Sequence, residues 1–195
     1  MRPLYWLALS LLLCVGPARA ADVVAVEALD ISRYAGTWYE IARLPVFFQR
    51  KCVAEVTAQY TLQDDGAIGV RNSCRDEKGE MDTVEGVARV DPEHPGQLEV
   101  RFAPDWLSWL PLTWAVYWVI AVDPEYQWAM VGEPGRDYLW ILARTPTLPP
   151  ARLEALKREA EAMGYQLETL IIDNRSHGNG SDNGTDTPPE ASPSG

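Results

Sequence analysis

The side chains that most often carry out acid–base or nucleophilic chemistry are scarce in this chain of 195 residues. Its two histidines are His94, in a turn between two prolines, and His177, in a polar C-terminal tail. Neither is placed to act as a general base or a metal ligand in a folded interior. The sequence also lacks the Gly-x-Ser-x-Gly motif that presents the nucleophile of many hydrolases. We therefore expect no catalytic residue, no metal site and no cofactor.

Cysteine chemistry rests on Cys52 and Cys74, the two cysteines outside the N-terminal apolar run. They flank the turn Asp64-Asp65-Gly66, and counting outward from that turn places residues 52–54 opposite residues 74–76. The pair can therefore meet across a hairpin. In an oxidising compartment we expect a disulfide rather than two free thiols, and with both thiols bonded no cysteine nucleophile remains.

One carboxylate is a further candidate. Glu40 follows Trp38 by two positions in a run that predicts a β-strand. Because strand side chains alternate between the two faces of a sheet, both residues are expected inside the fold. A buried carboxylate is costly unless it is paired. We expect Glu40 either to pair with an inward Arg or Tyr, or to contact the polar head group of a ligand.

The elements that position these residues are short strands. Runs rich in Val, Ile, Tyr and Trp alternate with turns that contain Asp, Gly and Pro, which favours antiparallel hairpins. We predict eight strands, at residues 36–43, 53–62, 68–74, 83–90, 97–102, 114–122, 128–132 and 138–144. Eight sequential strands match an all-β, up-and-down barrel, which has no exposed edge and can enclose one small ligand.

One α-helix is predicted after the last strand. Pro149 and Pro150 mark its start and Gly164 marks its end. Its apolar face is formed by Leu153, Leu156, Ala160 and Met163. Because a helix with a single apolar stripe buries that stripe on a neighbouring surface, we expect it to pack on the outside of the barrel.

The two ends of the chain depart from this pattern. Residues 1–20 hold Arg2, an apolar run and the small-x-small site Ala18-Arg19-Ala20, which predicts a signal peptide and a mature chain from Ala21. Lipidation of Cys14 is the alternative, although the leucines before it lack the small residue that lipoprotein processing prefers. Residues 174–195 contain no large apolar side chain and are expected to be disordered. One domain remains, at residues 21–173.

The charge disfavours one class of partner. The chain carries 17 basic and 28 acidic residues, a net charge of −11, and loss of Arg2 and Arg19 with the signal peptide would make it −13. We do not expect a protein this acidic to bind nucleic acid or anionic lipid head groups.

Three short motifs carry a family resemblance. They are Tyr34-Ala-Gly-Thr-Trp-Tyr-Glu-Ile-Ala-Arg43, Asp123-Pro-Glu-Tyr126 and Tyr138-Leu-Trp-Ile-Leu-Ala-Arg144. In this order they resemble the lipocalin pattern, and the first and third are similar to the branch of bacterial outer-membrane lipocalins and apolipoprotein D. The resemblance implies a barrel that binds a fatty acid or lysophospholipid for lipid storage, transport or repair in the envelope. It also implies an exported protein of the periplasm, associated with the outer membrane.

Strand order sorts the loops of such a barrel between its two ends, because successive hairpins alternate. Gly36 and Trp38, the turn from Asp123 to Tyr126, and Arg144 all fall at one end, which we term the closed end. There we expect Trp38 to form the barrel floor with the Arg144 guanidinium stacked on its ring, a cation–π contact. Gly36 allows the backbone to pass closely beneath. These residues are assigned to the fold rather than to ligand binding.

The opposite, open end is rich in apolar side chains. Phe47 and Phe48 lie in its first loop. The loop between the fifth and sixth strands supplies Trp106, Leu107, Trp109, Leu110 and, at its end, Trp114. A surface in water rarely exposes such a patch without a partner, so these residues and Glu40 form the candidate ligand-binding set. The loop either contacts a membrane surface or folds inward as a lid, and both arrangements imply an apolar ligand.

Two other functions are alternatives to lipid binding. A lipocalin-fold enzyme would act on a lipid or isoprenoid through an acid or thiol of the barrel, and a tetrapyrrole or retinoid carrier would absorb visible light. The shortage of interior histidine and free thiol favours binding over catalysis. A transmembrane helix over residues 106–122 is disfavoured, because 17 residues are barely long enough and Pro111 interrupts them. The sequence does not determine the oligomeric state.

Overall fold

Eight antiparallel strands close into a barrel in the computed structural model, which describes residues 20–64, 66–102 and 114–173. Neighbouring strands pair in chain order from β2 to β8, and β1 pairs with both β8 and β2, so the sheet closes on itself. The strands are β1 (Gly36–Arg43), β2 (Ala54–Leu62), β3 (Ile68–Arg75), β4 (Met81–Val90), β5 (Gln97–Arg101), β6 (Ala115–Val122), β7 (Trp128–Gly132) and β8 (Leu139–Ala143). The predicted up-and-down barrel is confirmed.

The first and last residues of each strand lie within two positions of the predicted bounds. The agreement is close because turn chemistry sets the ends: the Gln63 amide donates to the Ala67 carbonyl at 2.9 Å and closes the β2–β3 hairpin. The register that follows places Ala58 opposite Asn72, and Tyr60 opposite Val70. Residues that share a face can therefore be assigned around the whole barrel.

Three short elements are present that the sequence did not predict. The helix α1 (Ile31–Tyr34) is capped by the Asp30 side chain, which accepts hydrogen bonds from the amides of Ser32 and Arg33. A single 3-10 turn spans Phe47–Gln49. A two-residue strand, β9 (Ile171–Ile172), pairs with the end of β1 beyond the residues that β2 pairs. Elements of two to four residues are too short to show a repeating apolar pattern, so they could not be predicted from periodicity.

The barrel wall separates two apolar cores. The inner core lies within the barrel and includes Trp38, Leu98, Val119 and Leu142. The outer core lies between the wall and the helix α2 (Pro150–Ala162), whose Leu153 and Leu156 pack with Ile41, Met130 and Ile141. α2 lies outside the barrel, as predicted. No helix in the described part of the chain is long and apolar enough to cross a membrane.

Candidate functional site

The closed end of the barrel is formed by Trp38 and Arg144. Trp38 is fully buried, and its Nε1 donates to the Tyr34 carbonyl at 2.8 Å. The Arg144 guanidinium carbon lies 3.8 Å from the centre of the Trp38 ring. The same guanidinium donates to the carbonyl oxygens of Arg33 at 2.6 Å and of Thr37 at 2.9 Å. The Arg144 guanidinium thus donates its hydrogen bonds to the backbone carbonyls that close this end.

The remaining motif residues surround the same point. Gly36 has φ +100°, a conformation that glycine adopts readily, and a Cβ there would lie 3.2 Å from an Arg144 nitrogen. The Tyr126 hydroxyl accepts from the Asp30 amide at 2.8 Å, and the Asp123 carboxylate accepts from the amides of the turn that follows it. Each of these residues takes part in closing this end of the barrel.

A cavity of about 500 Å³ lies above this floor and opens at the other end of the barrel. Its wall is mainly apolar and is built from side chains that alternate inward on several strands, including Val56, Val70, Val84, Val100 and Leu142. A volume in this range is typical of sites for small organic ligands. The arrangement can take up a small apolar or amphipathic molecule, and it is the candidate functional site.

Glu40 lies on the wall of this cavity and is paired. Its carboxylate accepts from Arg43 at 2.6 Å and from the Gln49 amide at 3.1 Å, and Gln49 in turn accepts from the Trp140 indole at 3.0 Å. Burial raises the pKa of the Glu40 carboxyl above its ordinary range, and the contacts with Arg43 and Gln49 offset part of that rise. The network attaches the 3-10 turn that carries Gln49 to the barrel wall. Pairing with an inward arginine, one of the two expected outcomes, is the one that the structure contains.

The two phenylalanines of the first loop differ in position. Phe48 lines the cavity, and its ring lies 6.5 Å from that of Trp140. Phe47 is 71% exposed and lines a second, neighbouring pocket instead, which shares Cys52 and Val56 with the cavity. The two rings meet edge to face with centres 5.4 Å apart. Only Phe48 of this pair contributes to the cavity.

Trp114 does not line the cavity, contrary to expectation. Its ring contacts two guanidinium groups, with the Arg89 carbon 4.2 Å and the Arg101 carbon 5.1 Å from the ring centre. The reason is strand alternation, because Tyr117 of β6 points into the cavity and a residue three positions earlier must point outward. Four more members of the predicted set lie outside the described residues: Trp106, Leu107, Trp109 and Leu110.

Three tyrosines of the interior were not among the predicted site residues. The Tyr117 hydroxyl lies 2.8 Å from that of Tyr34 and 2.8 Å from that of Tyr60. Tyr60 and Tyr117 line the inner part of the cavity, whereas Tyr34 packs on Trp38 below it. Alternation could have placed Tyr60 and Tyr117 on the inner face. Only the register between distant strands brings the three hydroxyls together.

Cys52 and Cys74 are joined by a disulfide at the mouth of the cavity, with their Cα atoms 5.4 Å apart. Lys51 and Asp82 form an ion pair beside it, at 2.5 Å. In the part of the chain that the structure describes, no cluster of three or more His, Cys, Asp or Glu side chains is arranged to hold a metal ion.

Comparisons with known proteins agree with this architecture. A model of the lipocalin-like domain matches residues 29–175. Temperature-induced lipocalin-1 of Arabidopsis thaliana is 38% identical over 173 residues, which cover 87% of each protein. The outer membrane lipoprotein Blc of Citrobacter freundii is 38% identical and covers 81% of this chain and 86% of its own length. Apolipoprotein D of Mus musculus is 31% identical, over 77% of this chain and 79% of its own.

Among solved structures, insecticyanin from the tobacco hornworm Manduca sexta superposes with a TM-score of 0.60 at 23% identity. The superposition covers 81% of this chain and 87% of that one. At this level of identity the likeness supports the fold alone.

Proposed function

The chain belongs to the lipocalin-like family, and from this premise we propose that its barrel binds a small amphipathic lipid, a fatty acid or a lysophospholipid. The observation that carries the proposal is the apolar cavity of about 500 Å³, closed at one end by Trp38 and open at the other. Binding would be a partition of the acyl chain out of water, worth about 0.8 kcal/mol for each CH₂ group buried. The head group would lie at the mouth, near Lys51.

The cellular role that we propose is storage, transport or repair of envelope lipids by an exported protein. Support comes from the predicted signal peptide and from relatives that are named outer membrane lipoproteins. Transfer of a lipid also requires an open mouth, and the half-exposed Phe48 supplies an apolar side chain there. Native mass spectrometry of the purified protein tests the ligand class directly, since a bound lipid would appear as a mass increment. Absorption of visible light by the purified protein would instead indicate a bound tetrapyrrole or retinoid.

We expect Val84→Asp to weaken fatty-acid binding at least tenfold, about 1.4 kcal/mol by the affinity relation. Val84 is a partly exposed residue of the cavity wall near the mouth. A carboxylate there would have to lose its hydration when the acyl chain enters, and it would repel the carboxylate of the ligand. The measurement is a titration with a fluorescent fatty acid.

The matched control for this substitution is Thr83→Asp. Thr83 lies on the outer face of the same strand, where its hydroxyl contacts that of Ser73 at 3.0 Å. This variant adds the same charge at the neighbouring position without entering the cavity, so its affinity should stay within twofold of the unmodified protein. Equal affinities for both variants would show that the fatty acid binds elsewhere.

The apolar residues between β5 and β6 give a second prediction. Replacing Trp106, Leu107 and Trp109 together by serine should leave the barrel folded, because none of the eight described strands contains these residues. It should weaken fatty-acid uptake or vesicle association at least tenfold, about 1.4 kcal/mol. Vesicle binding should change little with salt, because a mature chain of net charge −13 gains nothing from anionic head groups. Full retention of both activities, measured by titration and vesicle sedimentation, would exclude a gateway role for these residues.

A further inference from the structure

The three tyrosine hydroxyls at the inner end of the cavity form a polar group within an apolar wall. Tyr117 is central, with a hydroxyl contact of 2.8 Å to Tyr34 on one side and 2.8 Å to Tyr60 on the other. Tyr34 and Tyr60 are almost completely buried. The chain could have closed this end with phenylalanine at lower desolvation cost, so the presence of three hydroxyls calls for a physical explanation.

A count of hydrogens shows that the group is incomplete. Each tyrosine hydroxyl donates one hydrogen bond, so three hydrogens are available. The two contacts use two of them in every possible arrangement, and one hydrogen is left over. Among the described residues no further hydrogen bond reaches these hydroxyls. Two of the three possible arrangements leave the spare hydrogen on Tyr60 or Tyr117, which line the cavity, so the hydroxyls can reorient to offer it to whatever occupies the cavity.

The protonation of the three groups is fixed by their surroundings. Burial raises the pKa of Tyr60 to about 12 and holds the pKa values of Tyr34 and Tyr117 well above the ordinary value. All three remain neutral donors throughout the physiological range. Their position is also fixed, since the Tyr34 ring packs 5.0 Å from the ring of Trp38 at the barrel floor.

The charges around the cavity limit what this donor can bind. The neighbouring cations are engaged: Arg144 with backbone carbonyls, Arg43 with Glu40, and Lys51 with Asp82 at the mouth. A carboxylate at the inner end would therefore lose its hydration without a counter-ion, which is unfavourable. A terminal methyl group would leave the spare donor unsatisfied, which is also unfavourable. A neutral oxygen atom meets both conditions.

We propose that the inner end of the cavity, at Tyr60 and Tyr117, is a hydrogen-bonding site for a neutral oxygen at the buried end of the ligand. The favoured ligand is then an acyl chain that carries a hydroxyl or carbonyl group at its far end, with its charged head at the mouth. This inference rests on the proposed function, because it assumes that the cavity holds the acyl chain. It adds a selectivity for chain-terminal oxygen over a plain alkyl end.

The test compares lauric, myristic and palmitic acids with their ω-hydroxy analogues in the unmodified protein and in the Tyr60→Phe/Tyr117→Phe variant. For each pair of acids, we compare the ratio of the two dissociation constants in the unmodified protein with the same ratio in the variant. Dividing one ratio by the other cancels the intrinsic difference in hydration between the two acids. For the chain length that reaches the floor, we expect the double substitution to lower the preference for the hydroxy acid at least fivefold.

Two further variants locate the effect. Tyr138→Phe removes a hydroxyl at the mouth of the same cavity and should leave the preference within twofold of its original value. Tyr34→Phe should also preserve the preference, because the remaining pair of hydroxyls still has one spare hydrogen. Loss of the preference in Tyr138→Phe alone would place the oxygen site at the mouth and overturn the inference.

A measurement on the unmodified protein keeps the inference testable if the double variant does not fold. Palmitic acids with the hydroxyl at the ω position and at mid-chain have the same composition, so the ω isomer should bind at least fivefold tighter only if an oxygen site lies at the inner end. Equal binding of the isomers overturns the inference while the proposed function stands. If none of the acids binds at any chain length, the proposed function fails and the inference fails with it.

Discussion

Replacing Trp38 by alanine is expected to lower the free energy of unfolding by about 3–5 kcal/mol, the range for large aromatic side chains removed from a core. Trp38 is fully buried and packs against the Tyr34 ring with centres 5.0 Å apart. The substitution also leaves Arg144 without the ring that lies 3.8 Å from its guanidinium carbon, a contact worth about 0.5–2 kcal/mol. The barrel floor would lose both its largest side chain and the ring that supports the half-buried Arg144 guanidinium.

Urea unfolding followed by circular dichroism measures this effect. Trp38→Phe is the matched control, because it keeps an aromatic ring and removes mainly the hydrogen bond to the Tyr34 carbonyl, so less than half of the alanine loss is expected. Fatty-acid binding should persist in the fraction of the alanine variant that stays folded, since the floor lies away from the mouth. An alanine variant whose stability is unchanged within half a kcal/mol would rule out the assignment of Trp38 to the floor.

Removing the disulfide by Cys52→Ser/Cys74→Ser is expected to lower the free energy of unfolding by about 3 kcal/mol, because the bond closes a loop with a sequence separation of 22 residues in the unfolded chain. The effect on the folded state should be local, since the bond joins the segment just before β2 to the end of β3 at the mouth. Ligand binding would therefore weaken less than stability.

The disulfide prediction carries its own internal control. Reducing agent should lower the stability of the unmodified protein by a similar amount and leave the double serine variant unchanged. Thiol titration of the unfolded, unreduced protein beginning at Ala21 should detect no free thiol from this pair. Two reactive thiols, or equal sensitivity of both proteins to reductant, would contradict the bond.

The sequence by itself determined the barrel and its closed end. Eight apolar runs separated by turn residues placed every strand within two residues of its observed bounds. These signals are local, because β-propensity and turn chemistry act over a few residues. Once the strands were numbered, the alternation of hairpins brought Trp38 and Arg144 to one end without any knowledge of side-chain packing. The structure places the two in contact.

The sequence-based prediction was wrong for Trp114, because the face on which a strand side chain lies depends on which residue of the strand is known to point inward. Trp114 was grouped with the apolar loop that precedes it, yet it lies one position before β6 and faces outward against Arg89. Its position beside the apolar loop suggested that Trp114 lines the cavity, but the pleat of the strand directs its side chain outward. A shift of one residue in a strand exchanges the inner and outer faces, so membership of the cavity cannot be inferred from a neighbouring loop.

Only the tertiary structure determined which polar groups meet inside the barrel. Tyr34 and Tyr117 are 83 positions apart, and Gln49 and Trp140 are 91 apart. Composition and periodicity carry no information about such pairs, because they arise from the register among several strands and from short turns such as Phe47–Gln49. The sequence thus determined the barrel fold and its closed end. Glu40 and Arg43 lie three positions apart in β1, where the register shifts between Glu40 and Ala42, so their pairing depends on a local irregularity of the strand. The tyrosine contacts at the floor and the Gln49–Trp140 contact were decided by long-range register, since hydrogen bonding requires atoms to approach within about 3 Å.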